Sequence, residues 1–368
     1  TTTQAPATTT TTTTTTVAPP TTTVLPAYSG QRVLAISAGF AHTCALLDGG
    51  IIKCWGSESF GELGLDRGEE GGGVDAGSSS AIDLGTGRTA VALDAGQWFT
   101  CAVLDGGSIK CWGYNYFAQL GVAPDGVYPY SAGINGIGDG WHQGADVQEM
   151  GDALVAANLG INVPALAVEA GLATTCALFE NGSIKCWGSN HYGEAGLGHT
   201  DSSIGDEAEE MGDNLPAVDL GSDKTAAQLS LGGWHSCAVL NDGTVKCWGR
   251  STAGALGNGE WDGWYGNEPG TMGDNLPTVD LGTNRTARAV YTDIGNSQWR
   301  SNYSCAILDD GSVKCWGYNG FGNLGLGHRR SIGDAPGEMG DNLPTVNLGT
   351  NRTATALSLA YGRTCALL

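Results

Sequence analysis

Five times along this chain two cysteines stand with nine residues between them, and each time the second lies in Lys-Cys-Trp-Gly. The pairs are Cys44 and Cys54, Cys101 and Cys111, Cys176 and Cys186, Cys237 and Cys247, and Cys305 and Cys315. Their first members, continued by Cys365, are spaced 57, 75, 61, 68 and 60 residues apart. Recurrence at this spacing is the mark of a solenoid, a propeller or an array, in which one supersecondary unit is stacked many times.

The centre of each unit fixes its local geometry. Leu308-Asp-Asp-Gly-Ser312 and Leu240-Asn-Asp-Gly-Thr244 are typical. Two Asx-type residues followed by Gly suit a three-residue hairpin loop, a type I turn closed by Gly in the left-handed region. Leu308 then faces Ser312, and Cys305 faces Cys315 three steps out. Pair types alternate along an antiparallel ladder, so the cysteines occupy a non-hydrogen-bonded pair. There the Cα atoms are about 4.5 Å apart, at the short end of the disulfide range. The other four units repeat the arithmetic, and five disulfides are expected. Leu46/Ile52, Val103/Ile109, Leu178/Ile184, Val239/Val245 and Ile307/Val313 share the cysteine face, which is therefore expected to be buried. Buried free thiols are the plainer alternative. Zinc ordinarily wants two short Cys knuckles or nearby His. Disulfides imply an oxidising compartment, and Cys365 reads as the first half of a sixth pair.

Two further segments per unit read as strands. One resembles Val-Asp-Leu-Gly (Ile82–Gly85, Val218–Gly221, Val279–Gly282, Val346–Gly349), and the other alternates apolar residues, as in Ala90–Gly96 and Ala354–Ala360. Period-2 alternation bounded by Gly and Asn signals strands, and four short antiparallel strands make a propeller blade. The composition agrees: 60 of 368 residues are Gly, with 11 Trp and 11 Tyr. The predicted fold is all-β, a β-propeller of four-stranded blades over residues 29–368, with five complete repeats and the start of a sixth. Residues 1–28 are set apart as an extended segment.

That segment is compositionally distinct. Fifteen of the first 23 residues are Thr, with Pro6, Pro19, Pro20 and Pro26 interleaved. Such a stretch has almost nothing to bury and is expected to be extended, either as a flexible linker or as an O-glycosylated stalk. The candidate acceptors are Thr8, Thr9, Thr10, Thr11, Thr12, Thr13, Thr14, Thr15, Thr16, Thr21, Thr22 and Thr23. Because the chain opens on Thr and stops inside a repeat, it is expected to be part of a longer protein, or else to leave a half-repeat open for a neighbour.

In full, the unit reads Gly-x-x-x-(Thr/Ser)-Cys-Ala-Leu, an Asp-Gly turn, Val-Lys-Cys-Trp-Gly, and then a segment such as Tyr318-Asn-Gly-Phe-Gly-Asn-Leu-Gly325. It resembles the regulator of chromosome condensation repeat family over about residues 31–368. That resemblance implies a β-propeller, commonly of seven blades, so this one is expected to be truncated. The paired cysteines resemble those of secreted members, among them a propeller-type β-lactamase inhibitory protein that uses a propeller face to bind protein. The founding nuclear member exchanges nucleotide on a small GTPase and binds chromatin. Neither role transfers: no matching face can be picked out in the sequence, and the net charge of −21 opposes chromatin. The units here are also longer, with insertions before Met-Gly-Asp-Asn-Leu-Pro.

No catalytic arrangement, metal site or cofactor is expected. His42 and His235 share one repeat position, filled elsewhere by Phe99, Thr174, Tyr303 and Arg363, and residues scattered over different blades make no cluster. The acidic insertions lack the alternation of a calcium loop and read as solvated turns. Trp55, Trp112, Trp187, Trp248 and Trp316 read as core. Trp141, Trp261, Trp264 and Trp299 fall in insertions, where exposed rings would suit sugar or another subunit. Sequons at Asn181, Asn284, Asn302 and Asn351 are candidate N-glycosylation sites, with Asn302 close to a strand.

These features point first to an extracellular, glycosylated, non-catalytic structural protein, a subunit of a surface or matrix fibril. Its partners would be copies of itself and attached glycans, with no nucleic acid and no membrane span. The alternative is a secreted binding module for a protein or glycan, which requires a contiguous aromatic patch drawn from several blades. A weaker alternative is a nucleotide-exchange factor, which requires a reducing compartment.

Overall fold

The Asp-Gly turns do close hairpins, and each hairpin recruits the alternating segment before it. The computed structural model describes residues 30–65, 73–122, 150–160, 163–207, 209–295, 302–360 and 362–368. Its first sheet joins β1 (Val33–Ala38), β2 (His42–Leu47) and β3 (Ile51–Gly56) in that order; the second joins β4 (Ala90–Ala95), β5 (Phe99–Leu104) and β6 (Ile109–Gly113). The third holds β7 (Ala165–Ala170), β8 (Thr174–Phe179), β9 (Ile184–Ser189) and the short β10 (Ser203–Ile204). The fourth holds β11 (Ala226–Leu231), β12 (His235–Leu240), β13 (Val245–Thr252) and β14 (Asp262–Tyr265). Then come β15 (Ala287–Thr292), β16 (Tyr303–Leu308) and β17 (Val313–Gly317), and finally β18 (Ala356–Ala360) paired with β19 (Arg363–Leu367). The first strand of each sheet packs on the inner strands of the sheet before it, which makes the array a propeller of radial blades. Val33–Leu368 is one compact unit. The Thr/Pro run lies outside the described residues.

The register is the one the turns dictate. Cys44↔Cys54, Cys101↔Cys111, Cys176↔Cys186, Cys237↔Cys247 and Cys305↔Cys315 are direct cross-strand partners. All five are bonded, with Cα atoms 4.0–4.1 Å apart. Cys365 is free and exposed.

Two expectations about strands need correction. The Val-Asp-Leu-Gly segments are not strands: each docks by one backbone bond on the hairpin of its blade, Val218 N–H to Ile184 and Val279 N–H to Val245, and then turns away. The fourth strand arises instead from the insertions. Among the described residues it is developed in β10 and β14, and is reduced to single bridges at Gly56↔Val74 and Gly317↔Ile332.

The core lies between blades. One cluster joins the Cys44–Cys54 face of the first sheet to Ala102, Leu104 and Trp112 of the second, and the next joins Cys101–Cys111 to Ala177, Phe179 and Trp187 of the third. The polar part of each seam repeats too. Glu62 O accepts both the Trp112 indole N–H (3.1 Å) and the Thr100 hydroxyl (2.9 Å). Gln119 O, Glu194 O and Ala255 O do the same for Trp187 with Thr175, Trp248 with Ser236, and Trp316 with Ser304.

The lysine of Lys-Cys-Trp-Gly ties the opposite end of the blade. Lys110, Lys185, Lys246 and Lys314 are buried. Each ammonium donates to the Leu carbonyl of a Val-Asp-Leu-Gly-type turn and to the Gly carbonyl of the next Met-Gly-Asp turn, at 2.7–3.0 Å. Burial lowers all four ammonium pKa values from the ordinary range. The turns also clasp each other directly. Asp152, Asp274 and Asp341 accept from the backbone N–H and hydroxyl of Thr86, Ser222 and Thr283.

Replacing Lys185 by Met keeps the aliphatic stem and strands two buried carbonyls, so it is expected to lower unfolding stability by about 2–4 kcal/mol, read as a reduced urea midpoint. A variant as stable as the parent would show that the lysine tie contributes nothing.

His42 and His235 are buried with Nε2 2.9 Å from the Thr100 and Ser304 hydroxyls, and burial lowers both imidazoles from 6.5 to about 4. The unfolded chain therefore binds protons that the folded chain refuses. Their contribution is complete above pH 6.5 and falls away toward pH 4, by up to about 3 kcal/mol for each residue. Burial pushes Asp94 up to about 6, which works in the opposite sense between about 3.8 and 6. Introducing His42→Phe with His235→Tyr, the residues of the second and fifth blades at that position, leaves Asp94 in place. The double variant is expected to lose less stability than the parent between pH 7 and pH 5, and equal losses would contradict the assignment.

Candidate functional site: an aromatic face

In every blade the turn between the first two strands and the segment leaving the third strand emerge at the same edge of the antiparallel sheet. Whatever these two loops carry therefore lines one face of the propeller. The first loop carries Phe40, Trp98 and Trp234 in blades one, two and four, where Gly is followed by variable residues before the Thr/Ser-Cys step. The second carries Phe60, Tyr114, Tyr116, Phe117, His191 and Tyr192.

These rings make one continuous series. Trp98 lies 5.9 Å from Phe40 across the first seam and 5.1 Å from Phe60; Tyr114 is 5.0 Å from Phe60. Tyr114 stacks parallel to Tyr116 at 6.1 Å, and Tyr116 meets Phe117 edge-on at 4.7 Å. Phe117 crosses the second seam to His191 at 5.6 Å, and His191 leads to Tyr192. Tyr192 crosses the third seam to Trp234 (5.4 Å) and Trp264 (5.2 Å). Phe40 is 48% exposed and Trp264 42%, while the intervening rings are mostly half-buried. The series spans four blades.

The rings are held from beneath. The backbone N–H groups of Phe60, Phe117 and Tyr192 donate to Glu62, Gln119 and Glu194, side chains two residues on that lie 0–2% exposed. Burial raises the pKa of both glutamates. The next-blade tryptophans bind the carbonyls of these same three residues. The presenting loops are thus fixed to the seams. Burial, with Tyr116 alongside, pushes the Tyr114 hydroxyl up to about 12, so it stays a neutral donor. Arg250, 7% exposed, lies 4.9 Å from the Tyr192 ring centre, 5.7 Å from Trp234 and 5.9 Å from Trp264, and its fork meets both oxygens of Asp262. Its charge is spent on rings and one carboxylate, which rigidifies the end of the series.

The residues singled out in the sequence take other places. The ten paired cysteines lie in the seams. Asn181 sits exposed at a hairpin tip, its Oδ1 accepting from the backbone and hydroxyl of Ser183. Asn284 and Asn351 are exposed at φ of 56° and 57° in matching turns. Asn302 is 2% exposed and its Nδ2 is enclosed, so a glycan there is incompatible with this packing. Trp261 and Trp264 are exposed, Trp261 to 60%; Trp141, Trp299 and the candidate threonines lie outside the described residues. Among the described residues, no three His, Cys, Asp or Glu side chains gather as a metal site would require, and no helix is long and apolar enough to cross a membrane.

Apart from Trp264, the aromatic series was not anticipated from the sequence. Its signal was present as two to four rings in each of the first four repeats, mostly beside the cysteine motifs, but only the strand topology puts them on one face.

The profile of the Regulator of chromosome condensation (RCC1) repeat matches residues 33–62, 90–119, 166–194, 226–255 and 301–323, one match per complete blade. The chain is 25% identical over 331 residues to the Ultraviolet-B receptor UVR8 of Arabidopsis thaliana, covering 81% of this chain and 68% of the receptor. It is 25% identical over 276 residues to the human E3 ubiquitin-protein ligase HERC2, of which it spans 5%. Among solved structures, human WBSCR16 superposes with a TM-score of 0.63 at 18% identity, over 90% of this chain and 70% of that one. Yeast RCC1 gives 0.60 at 17%, over 91% of this chain and 65% of its own length. Matched blade for blade, the chain belongs to the regulator of chromosome condensation repeat family of β-propellers.

Proposed function

We propose that this propeller is a non-catalytic binding module that captures an extended, uncharged chain, a glycan or a peptide, along its aromatic face. The observation that carries this reading is the continuous ring series across four blades, anchored to the seams. Half-buried aromatics offer large contact area with little side-chain freedom left to lose, which is the composition of binding surfaces. Propellers of this family commonly serve as binding or regulatory modules, and the ligase activity named for HERC2 belongs to a protein of which this chain spans only 5%. The net charge of −21 disfavours polyanions. Five disulfides fit an oxidising environment, and secretion is part of the proposal.

The test is a panel of soluble neutral oligosaccharides and proline-rich peptides, titrated by calorimetry against the parent, Trp98→Ala and Trp264→Ala. A ligand from one arm is expected to bind the parent and to lose about 10- to 100-fold in affinity to each variant, as ring hot spots do. The melting midpoint is expected to change little in Trp264→Ala. Binding unaffected by either change, or no binding in both arms, would refute the reading.

A second reading, a glycosylated fibril subunit, draws on the Thr/Pro composition of residues 1–28 and on the exposed sequons at Asn181, Asn284 and Asn351. It predicts that native material sediments as a polymer and carries sugar on the Thr run. A bare monomer in sedimentation and intact mass would end it.

A further inference from the structure

Residues 1–31 carry no Asp, Glu, Lys, Arg or His, so the whole net charge of −21 sits on the rest of the chain. No other uncharged stretch is as long. Two such acidic bodies repel at long range, and this segment is the part of one copy that approaches another without charge. Its apolar residues gather in Val17-Ala-Pro-Pro-Thr-Thr-Thr-Val-Leu-Pro-Ala-Tyr28, which holds three of its four prolines. Proline fixes φ, so such a sequence loses little further freedom on lying extended as polyproline II, the form that aromatic-lined grooves take up.

The ring series fits a segment of this kind in length and in chemistry. Successive rings from Phe40 to Trp264 stand 4.7–6.5 Å apart. Polyproline II advances about 3.1 Å per residue, so two residues cover one step and about a dozen cover the series. Val17–Tyr28 has that length. A polyproline II backbone makes no internal hydrogen bonds, and Tyr and Trp rings bring a donor at the polar end of an apolar body. The neutral Tyr114 hydroxyl is one such donor.

We propose that Val17–Tyr28 of one copy lies along the aromatic face of a second copy and joins the two propellers head to tail. This rests on the reading of that face as a binding surface and names its partner. The choice of a second copy is supported by the point at which the segment is attached. Val33 stands opposite Leu47, beside a hairpin tip, whereas Ala38 stands opposite Thr43, beside the turn that carries Phe40. Residues before Val33 therefore join the blade at the end remote from the rings, roughly 17 Å away at about 3.3 Å per strand residue. Each copy then offers a segment at one end and a face at the other, a heterologous contact that does not stop at a dimer.

The test sediments the whole chain over a range of concentrations. In the parent, species larger than a dimer are expected to grow with concentration. They are expected to vanish in Val24→Asp with Leu25→Asp, which puts charge into the segment and leaves the melting midpoint of the propeller unchanged. Trp98→Ala is expected to weaken assembly about tenfold. A parent that stays monomeric at every concentration would overturn the proposal, and so would assembly that survives the paired Asp change. A second arm adds a labelled peptide copying residues 17–28 to the Val24→Asp, Leu25→Asp chain, read by fluorescence anisotropy. Binding is expected, about tenfold weaker once Trp264→Ala is added. If the peptide does not bind while a neutral oligosaccharide does so at these rings, this partner is wrong and the face remains a binding surface. If neither binds, the reading of the face falls as well.

Discussion

A single backbone carbonyl at each seam, Glu62 O or its counterparts Gln119 O, Glu194 O and Ala255 O, holds this propeller in register. Each accepts two donors from the following blade, an indole N–H and a hydroxyl, inside an apolar interface. Hydrogen bonds in such surroundings gain little net free energy, but leaving one unmade costs the full desolvation of the group. A slip of one blade against the next would strand both donors, the carbonyl and, at the other end of the seam, the buried ammonium. The seam is therefore specific even though its bulk, packed apolar contact, is not. The disulfides act on a different link. They hold the two arms of each hairpin together and so keep flat the face against which the next tryptophan lies.

The repeating part of this design is legible in the sequence because it depends on short-range facts. Three-residue Asp-Gly loops set the ladder register, the register opposes the cysteines, and the cysteine face becomes the buried one. The roles of Lys110 and its equivalents were not legible. A lysine opposite an alanine in a hairpin reads as solvent-facing, and only the return of two distant turns, Val-Asp-Leu-Gly and Met-Gly-Asp, encloses it. The same return explains why Val-Asp-Leu-Gly is not a strand: its backbone goes to the hairpin once and its Leu carbonyl goes to the lysine. The Asp of Met-Gly-Asp, which composition alone leaves open to calcium, is committed to the neighbouring turn in Asp152, Asp274 and Asp341.

The candidate site was harder to see for a related reason. Phe40 and Trp98 are 58 residues apart in sequence yet 5.9 Å apart as rings, and Phe117 and His191 are joined only across a seam. Neither pair shares a local motif. What brings them together is the equality of the blades: the same loop of successive units falls at adjacent points on the face. Where one unit lacks a ring in the first loop, as at Leu172 in the third blade, the second loop closes the gap with His191 and Tyr192.

The division of labour within each loop explains how such a surface can exist on a tightly packed wheel. Glu62, Gln119 and Glu194 point inward, fix the preceding backbone and lend their carbonyls to the seam, while the aromatic two residues earlier points outward and joins no seam bond. Substituting the outward residue leaves the seam donors and acceptors satisfied; substituting the inward one disturbs both. Ring-to-ring contacts of about 0.5–1.5 kcal/mol each are then free to fix the rotamers of the outward set. A ligand meeting that set does not have to order it, so most of the contact it makes is retained as affinity. Rigidity generated between the blades is in this way delivered to a face whose rings meet across the seams but stay out of the carbonyl–indole bonds that set their register.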